Sequence, residues 1–268
     1  MFDFLQLVAN ENLKIYRRIR TWIMFGILVI LVLAISLIAR YMPGGGDGSG
    51  WSMMMTETFL LFIMVTIFTV VVSAETVAGE FTSGTIKLLL IRPWSRSKIL
   101  LSKYISVMLF AFALAATLFV LGFGVNALLF GMGGAREEIL AALGTNRDIS
   151  PFSYMLAYYG FEFISLIMIV TVSFMISTVF RSGGLAIGLS LFFLMGGSVV
   201  TMLLMQLDYA WVDYLLLIHL DLTNYLIEPG FELRDGVTLG FSLGVLAAYY
   251  VLIIAVTWLV FNKRDVAT

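Results

Sequence analysis

The feature that most constrains this chain is a run from Trp22 to Ala39 without a single charged side chain. A helix that crosses a bilayer needs about 20 mostly apolar residues. Hydrophobic residues make up 61% of the 268 residues and charged residues only 12%, about half the charged share of an ordinary soluble domain. A soluble fold could not remove so much apolar surface from water. The composition therefore predicts a membrane protein and argues against a soluble enzyme, a disordered chain or a nucleic-acid binder with a basic face.

Six apolar blocks are long enough to cross a bilayer, which predicts an all-α membrane protein with six transmembrane helices. All 4 prolines fall between the blocks, where a helix breaker costs least. The segment 208–236 is apolar but interrupted by charged residues, so we expect short helices that dip into or lie on the outer leaflet. The predicted spans are 22–40, 51–74, 104–130, 152–180, 185–207 and 237–261.

The basic residues are distributed unevenly among the segments that join the blocks. With the N-terminus inside the cell, twelve of the 16 basic residues lie on the cytoplasmic side, which satisfies the positive-inside rule. We therefore predict a multi-pass protein with both termini cytoplasmic. The first 20 residues do not fit a cleavable signal peptide, because the apolar block that follows them is long and begins late.

The segment 1–20 is predicted to form an amphipathic helix ahead of a transmembrane domain at 21–268. Its polar residues recur at steps of three and four: Asp3, Gln6, Asn10, Lys14 and Arg17. Such a helix can lie in the membrane interface, with its basic residues near anionic headgroups. The alternative is a simple helical extension of the first span.

The segment 75–103, between the second and third spans, carries five basic residues and alternates helical stretches with breakers. Gly84 can end a helix in the left-handed conformation, and Ser95 is a suitable N-cap for the helix that leads into the third span. This segment nearly follows the pattern Glu-x3-Gly-Thr-x3-Leu-Leu-x2-Pro-x-Ser-Arg-x-Lys. The residues that match are Glu80, Gly84, Thr85, Leu89, Leu90, Pro93, Ser95, Arg96 and Lys98.

This pattern resembles the first cytoplasmic loop of ABC-2-type ABC transporter permeases. The six spans and the amphipathic N-terminal helix are similar to that family as well, so the resemblance covers essentially the whole chain and implies its type V exporter-like fold. Within that family it resembles the small permeases of bacterial antibiotic-peptide export and self-immunity systems, and similar chains serve sodium or other export. The alternative is an ordinary loop whose basic residues only fix the topology.

The resemblance implies that 75–103 contains a coupling helix that seats in a cleft of a separately encoded ABC ATPase. It further implies two ATPase copies, a second permease copy in a homodimer, and a place in the bacterial plasma membrane. ATP and Mg would be bound by the ATPase, with no cofactor in this chain. The positions expected to contact the ATPase or shape the loop are Glu80, Gly84, Thr85, Pro93, Ser95, Arg96 and Lys98.

Motifs for other chemistry are missing from the sequence. A phosphate-binding loop needs a Gly-Lys pair, and the chain has none. The lack of cysteine and the single histidine argue against thiolate sites and histidine metal clusters. We therefore expect no catalytic residue and no metal ligand, and His219 beside Asp221 is a poor candidate for a metal site.

Two glutamates lie inside predicted spans. Glu162 is about ten residues into the fourth span, where an ionisable group is costly and needs a partner or water. It could mark a substrate or ion path or an essential helix–helix contact, or be an acid near the outer interface that bonds to Tyr158 or Tyr159. Glu57 is nearer the outer end of its span and is expected to be interfacial, with a place on a substrate path or a helix contact as the alternative.

The function predicted from this reasoning is the permease subunit of an ATP-driven exporter, with a hydrophobic or peptide antibiotic as the favoured cargo. An ion-driven secondary transporter is the first alternative, because it could use Glu162, although no clear inverted repeat relates the two halves. An intramembrane enzyme is the second alternative. It would need convergent polar groups at membrane depth, and the sequence offers no such set.

Overall fold

The computed structural model describes residues 2–42, 49–84, 94–134, 139–141, 143–145, 149–180, 182–207 and 209–263. Within these ranges every regular element is a helix, which confirms the all-α prediction. The α-helices are α1 (Phe2–Tyr16), α2 (Ile19–Tyr41), α3 (Gly50–Thr82), α4 (Arg96–Leu129), α5 (Pro151–Val179), α6 (Gly183–Leu204) and α7 (Leu239–Lys263).

The six helices α2 to α7 are each long and apolar enough to cross a membrane. They run alternately in opposite directions. At one end, called the α1 end, the amide of Gly183 donates to Thr82 Oγ1 (3.1 Å), so α3 ends where α6 begins. At the other end the amide of Gly50 donates to the carbonyl of Gly131 (2.9 Å), so α3 begins where α4 has ended. The chain is a multi-pass membrane protein.

Two helices extend past the spans predicted for them. The helix α3 continues to Thr82, past the span limit at residue 74, and α4 begins at Arg96, ahead of the span limit at residue 104 and directly after the N-cap predicted at Ser95. The cause is that polar residues such as Glu75 and Glu80 end an apolar block without ending a helix. Both ends of the segment 75–103 are therefore helical. Residues 85–93 of this segment lie outside the described ranges.

The N-terminal helix is separate from the first membrane-crossing helix. It ends at Tyr16, and Arg18 has extended backbone angles (φ −80°, ψ 127°) before α2 begins. Leu7, Val8 and Ile15 are buried against the bundle. The apolar residues Leu5 and Leu13 are 61% and 51% exposed, so α1 presents one apolar face to the protein and another outward.

The centre of the bundle is formed by α3, α4 and α5, with α2, α6 and α7 around them. Serine hydroxyls join α3 to α5 by reciprocal bonds. Ser73 Oγ donates to the carbonyl of Val170, and Ser173 Oγ donates to the carbonyl of Val70, both at 3.1 Å. Between helices in lipid such bonds contribute about 0.6 kcal/mol on average. They fix the register of the two central helices.

The segment from Tyr209 to Thr238, called the cap, covers the end opposite α1. It contains three 3-10 helices, at Ala210–Tyr214, Leu216–His219 and Thr223–Leu226, in agreement with the short helices expected there. His219 is buried, with Nδ1 2.8 Å from Ser242 Oγ and Nε2 2.8 Å from the carbonyl of Asp213. Burial lowers the pKa of His219, although the contacts with Asp213 act against it. His219 is thus a hydrogen-bonded core residue, and among the described residues no cluster of three or more His, Cys, Asp or Glu side chains is placed to hold a metal ion.

Candidate functional site

Four charged side chains from three helices form a closed group at the α1 end, called the ion-pair ring. Lys103 Nζ is 2.8 Å from Glu11 Oε2 and 2.6 Å from Glu80 Oε1. Lys14 Nζ is 2.6 Å from Glu11 Oε1 and 3.0 Å from Glu80 Oε1. Each lysine therefore contacts both carboxylates, and the ring joins α1, the end of α3 and the start of α4.

The ring is largely removed from water. The side chain of Lys103 is only 1% exposed and that of Glu11 only 5%. Burial alone would raise the pKa of Glu11, but Lys103 and Lys14 outweigh it and hold the pKa below its ordinary value. Burial would lower the pKa of Lys14, but Glu80 and Glu11 outweigh it and raise the pKa. Both side chains are thus held ionised near neutral pH.

A second ionic contact lies beside the ring. The guanidinium groups of Arg18 and Arg20 both contact Glu75 Oε2, with Arg18 Nη1 at 3.4 Å. These two arginines follow α1, and Glu75 lies in the last part of α3. A small cavity of about 40 Å³ separates this contact from the ring. The same end of α3 is therefore tied twice to the N-terminal segment.

The flanks of the predicted coupling segment have the local structures that the sequence predicted. Gly84 has φ +69° directly after the end of α3, the left-handed conformation that favours glycine at this position. Ser95 caps α4, because its side chain accepts from the amide of Lys98 at 3.4 Å. Thr85 and Pro93, two further positions predicted in this segment, lie outside the described residues.

The predicted contact positions of the segment are separated by the structure. Glu80 is in the ion-pair ring, whereas Arg96 Nη1 donates to the carbonyl of Asn262 at the end of α7 (3.2 Å). Lys98 is exposed, with Nζ 5.8 Å from the ring centre of Trp94. Arg96 and Lys98 thus lie at the start of α4, where a soluble protein could contact them.

The sequence reasoning missed Glu11 and Glu75 as site residues. A signal for Glu11 existed, because it falls between Val8 and Ile15 on the stripe that α1 buries. A carboxylate on an otherwise apolar stripe indicates a buried partner. The partner itself, Lys103, could not be identified, since nothing in the sequence places these residues side by side.

Glu57 lies inside the bundle and is fully buried. It accepts hydrogen bonds from Ser36 Oγ of α2 and from Asn126 Nδ2 of α4, the latter at 2.6 Å. No cationic side chain of the described residues pairs with it. The sequence predicts that Glu57 lies near one end of its span. The structure shows that it also bonds to two neighbouring helices, α2 and α4.

Glu162 is partly buried in the first half of α5. It interacts with the Tyr158 hydroxyl, one of the two partners considered from the sequence, and electrostatically with the carboxylate of Asp221 in the cap. Asp221 itself accepts from the amide of Thr223 (3.1 Å) and from Asn224 Nδ2 (3.0 Å).

Comparison with known proteins gives a family but no activity. Residues 26–267 match the family DUF2705, described as proteins of unknown function. The uncharacterized protein YhcI of Bacillus subtilis (strain 168) is 31% identical, over 98% of this chain and 99% of its own length. The uncharacterized membrane protein YdbK of the same organism is 28% identical, over 95% of this chain and 99% of its own length. The name of the second relative agrees with a membrane location.

Proposed function

The chain belongs to the DUF2705 family. We propose that it is the membrane-spanning permease subunit of an ATP-driven ABC exporter. The observation that carries the proposal is the structured, charged end formed by α1, the end of α3 and the start of α4. This end borders the segment that resembles an ABC-2 coupling loop. A separately encoded ATPase would seat there, in two copies for a homodimer of permeases.

The orientation of the bundle in the membrane supports this proposal. The ring residues and the exposed Lys98 lie at the end that the positive-inside rule assigns to the cytoplasm. A soluble ATPase can reach only that side. The cap covers the other end, where a cargo would leave.

In the proposed mechanism, the ATPase subunits tilt the transmembrane helices back and forth. ATP binding would draw two ATPase subunits together, and each would tilt the helices α3 and α4 that flank its docking segment. Rigid-body movements of this kind alternate the access of a central path between the two sides of a membrane. The chain's own part is to receive the ATPase and to transmit the tilt, with ATP and Mg bound in the partner. The cargo favoured by the resemblance is a hydrophobic or peptide antibiotic, which would make the complex an antibiotic-resistance system of the bacterial plasma membrane.

Purification of the permease with its candidate ATPase tests the proposal. The charge reversals Arg96→Glu and Lys98→Glu are expected to reduce the ATPase retained by about tenfold or more, because like charges then oppose each other at the docking surface. Arg40→Glu is the matched control, since Arg40 is exposed near the opposite end of α2. The proposal fails if no ATPase is retained by the wild-type chain, or if Lys98→Glu and Arg40→Glu behave alike.

An ion-driven secondary transporter is the second candidate, because Glu162 is an ionisable residue inside the membrane-crossing helix α5. Ionisable residues inside membrane-crossing helices often mark ion or proton paths. Uptake or release by vesicles that follows a proton gradient without ATP, and that Glu162→Gln abolishes, would favour this candidate over the exporter. No feature of the described residues favours an intramembrane enzyme.

A further inference from the structure

The segment that resembles a coupling loop does not include α1, yet the ion-pair ring joins α1 to both flanks of that segment. We propose that α1 sets the orientation of the ATPase-docking end and that Glu11 is the positioning residue through which it does so. The inference rests on the proposed exporter function and adds an element that the loop motif leaves out.

The helix α1 is held on the bundle by an ion pair and a hydrogen bond as well as by apolar packing. Lys103 is almost completely buried, and withdrawing α1 would remove Glu11 from it. A buried charge that loses a partner is strongly destabilising. The hydroxyl of Ser106 on α4 also donates to the carbonyl of Val8 (3.2 Å). Charge pairing and backbone bonding thus hold α1 at the same place on α4.

The ring connects α1 with Glu80, the first residue of the pattern that resembles a coupling loop. Glu80 lies one helical turn before Gly84, where the chain leaves α3. A pull on the chain after Gly84 therefore acts on Glu80. Because Lys14 and Lys103 each contact both Glu80 and Glu11, Glu80 cannot move relative to α1 without separating ion pairs. The end of α3, the start of α4 and α1 consequently move as one body.

A simple structural role can be separated from positioning by a double substitution. Glu11→Gln combined with Lys14→Gln removes one negative and one positive charge and leaves the buried Lys103 paired with Glu80. The fold keeps a balanced ion pair, whereas α1 loses its charged link to α3. The matched control is Arg17→Gln, which removes an exposed charge just after α1.

The first measurement is the affinity of the ATPase for the full-length permease in nanodiscs, together with the unfolding temperature. We expect the double variant to bind the ATPase about tenfold more weakly at an unfolding temperature no lower than that of Glu11→Gln alone, because Lys103 and Glu80 stay paired, and Arg17→Gln to bind normally. Wild-type affinity in the double variant overturns the inference and leaves the exporter proposal standing. Absence of ATPase binding to the wild type contradicts both the inference about α1 and the exporter proposal.

The second measurement does not depend on the ring variants being folded. The chain has no cysteine, so Asn10→Cys on α1 and Leu101→Cys on α4, both exposed, can be spin-labelled without background. In the complex, the distance between the labels is expected to be the same with ADP and with a non-hydrolysable ATP analogue. A change of more than about 5 Å, roughly one helical turn, contradicts movement as one body.

Discussion

The bundle buries carboxylates in two regions and satisfies them in opposite ways. At the α1 end, Glu11 and Glu80 contact two lysines. Toward the cap, Glu57 contacts the hydroxyl of Ser36 and the amide of Asn126. Both regions join α3 and α4 to one further helix, which is α1 in the first case and α2 in the second.

The difference lies in what each arrangement demands of its members. An ion-pair ring needs all of its charges, because removing one leaves an opposite charge buried without full compensation. A carboxyl group held by neutral donors needs only groups of the right shape and hydrogen-bonding capacity. The α1 end should therefore lose more stability than the region around Glu57 when one charge is removed.

The strongest test of the comparison removes the buried cation. Lys103→Met keeps much of the side-chain volume but leaves Glu11 and Glu80 with only Lys14 between them. We expect a loss of about 3–5 kcal/mol in the free energy of unfolding, the range for a buried ion pair that loses a partner. Thermal unfolding in detergent, followed by tryptophan fluorescence, measures it. Lys14→Met should cost clearly less, because Lys14 is 41% exposed, and equal losses would contradict the central role of Lys103.

A second test applies one chemical change to both regions. Glu11→Gln removes a charge from the ring and should cost about 2 kcal/mol, within the range for hydrogen bonds to charged groups. Glu57→Gln should cost less than about 1 kcal/mol, since Asn126 Oδ1 is buried without a partner and a turned amide can accept from the new glutamine. If Glu57→Gln proves the more harmful of the two, the contrast between a charged and a neutral region is wrong.

Much of this contrast could not be predicted from the sequence. The apolar blocks predicted six helices, and local rules predicted the left-handed Gly84 and the Ser95 cap, because each depends on neighbouring residues only. The pairing of Glu11 with Lys103 depends on two helices lying side by side. The neutral donors around Glu57 also come from two other helices. Partners that are far apart in sequence cannot be paired without the packing of the helices.

The helices α3 and α4 are longer than the predicted spans for a related reason. Hydropathy places the limits of a span where charged residues begin, so Glu75 and Lys103 fall outside the predicted spans, whereas Gly84 and Ser95 indicate the helix ends. The structure pairs both with charges from neighbouring helices. Charged residues whose partners are supplied by tertiary contacts continue a helix, and hydropathy cannot recognise this case.

The pH dependence of stability provides a third test. The pKa of Glu11 is lowered in the folded protein, so its contribution is present above the ordinary glutamate value and is lost as the pH falls through the lowered one. The pKa of Lys14 is raised, so its contribution is lost only as the pH rises through the raised value. The unfolding temperature should be level around neutral pH and fall below about pH 4.5, the ordinary glutamate value. Glu11→Gln should make this acid decline shallower, and an unchanged decline would mean that other groups cause it.

The smallest effect is expected at the edge of the charged region. Arg18 is 49% exposed and its nearest atom lies 3.4 Å from Glu75, so water and salt screen the pair and Arg18→Gln should cost about 0–1 kcal/mol. The effect should disappear at about 1 M salt, where the screening length falls to about 3 Å, whereas the loss in Lys103→Met should persist because the ring is shielded from solvent. Unfolding temperatures of both variants at low and high salt decide the matter. If both losses shrink together, the ring is no more protected than a surface pair, and burial is not what distinguishes the α1 end.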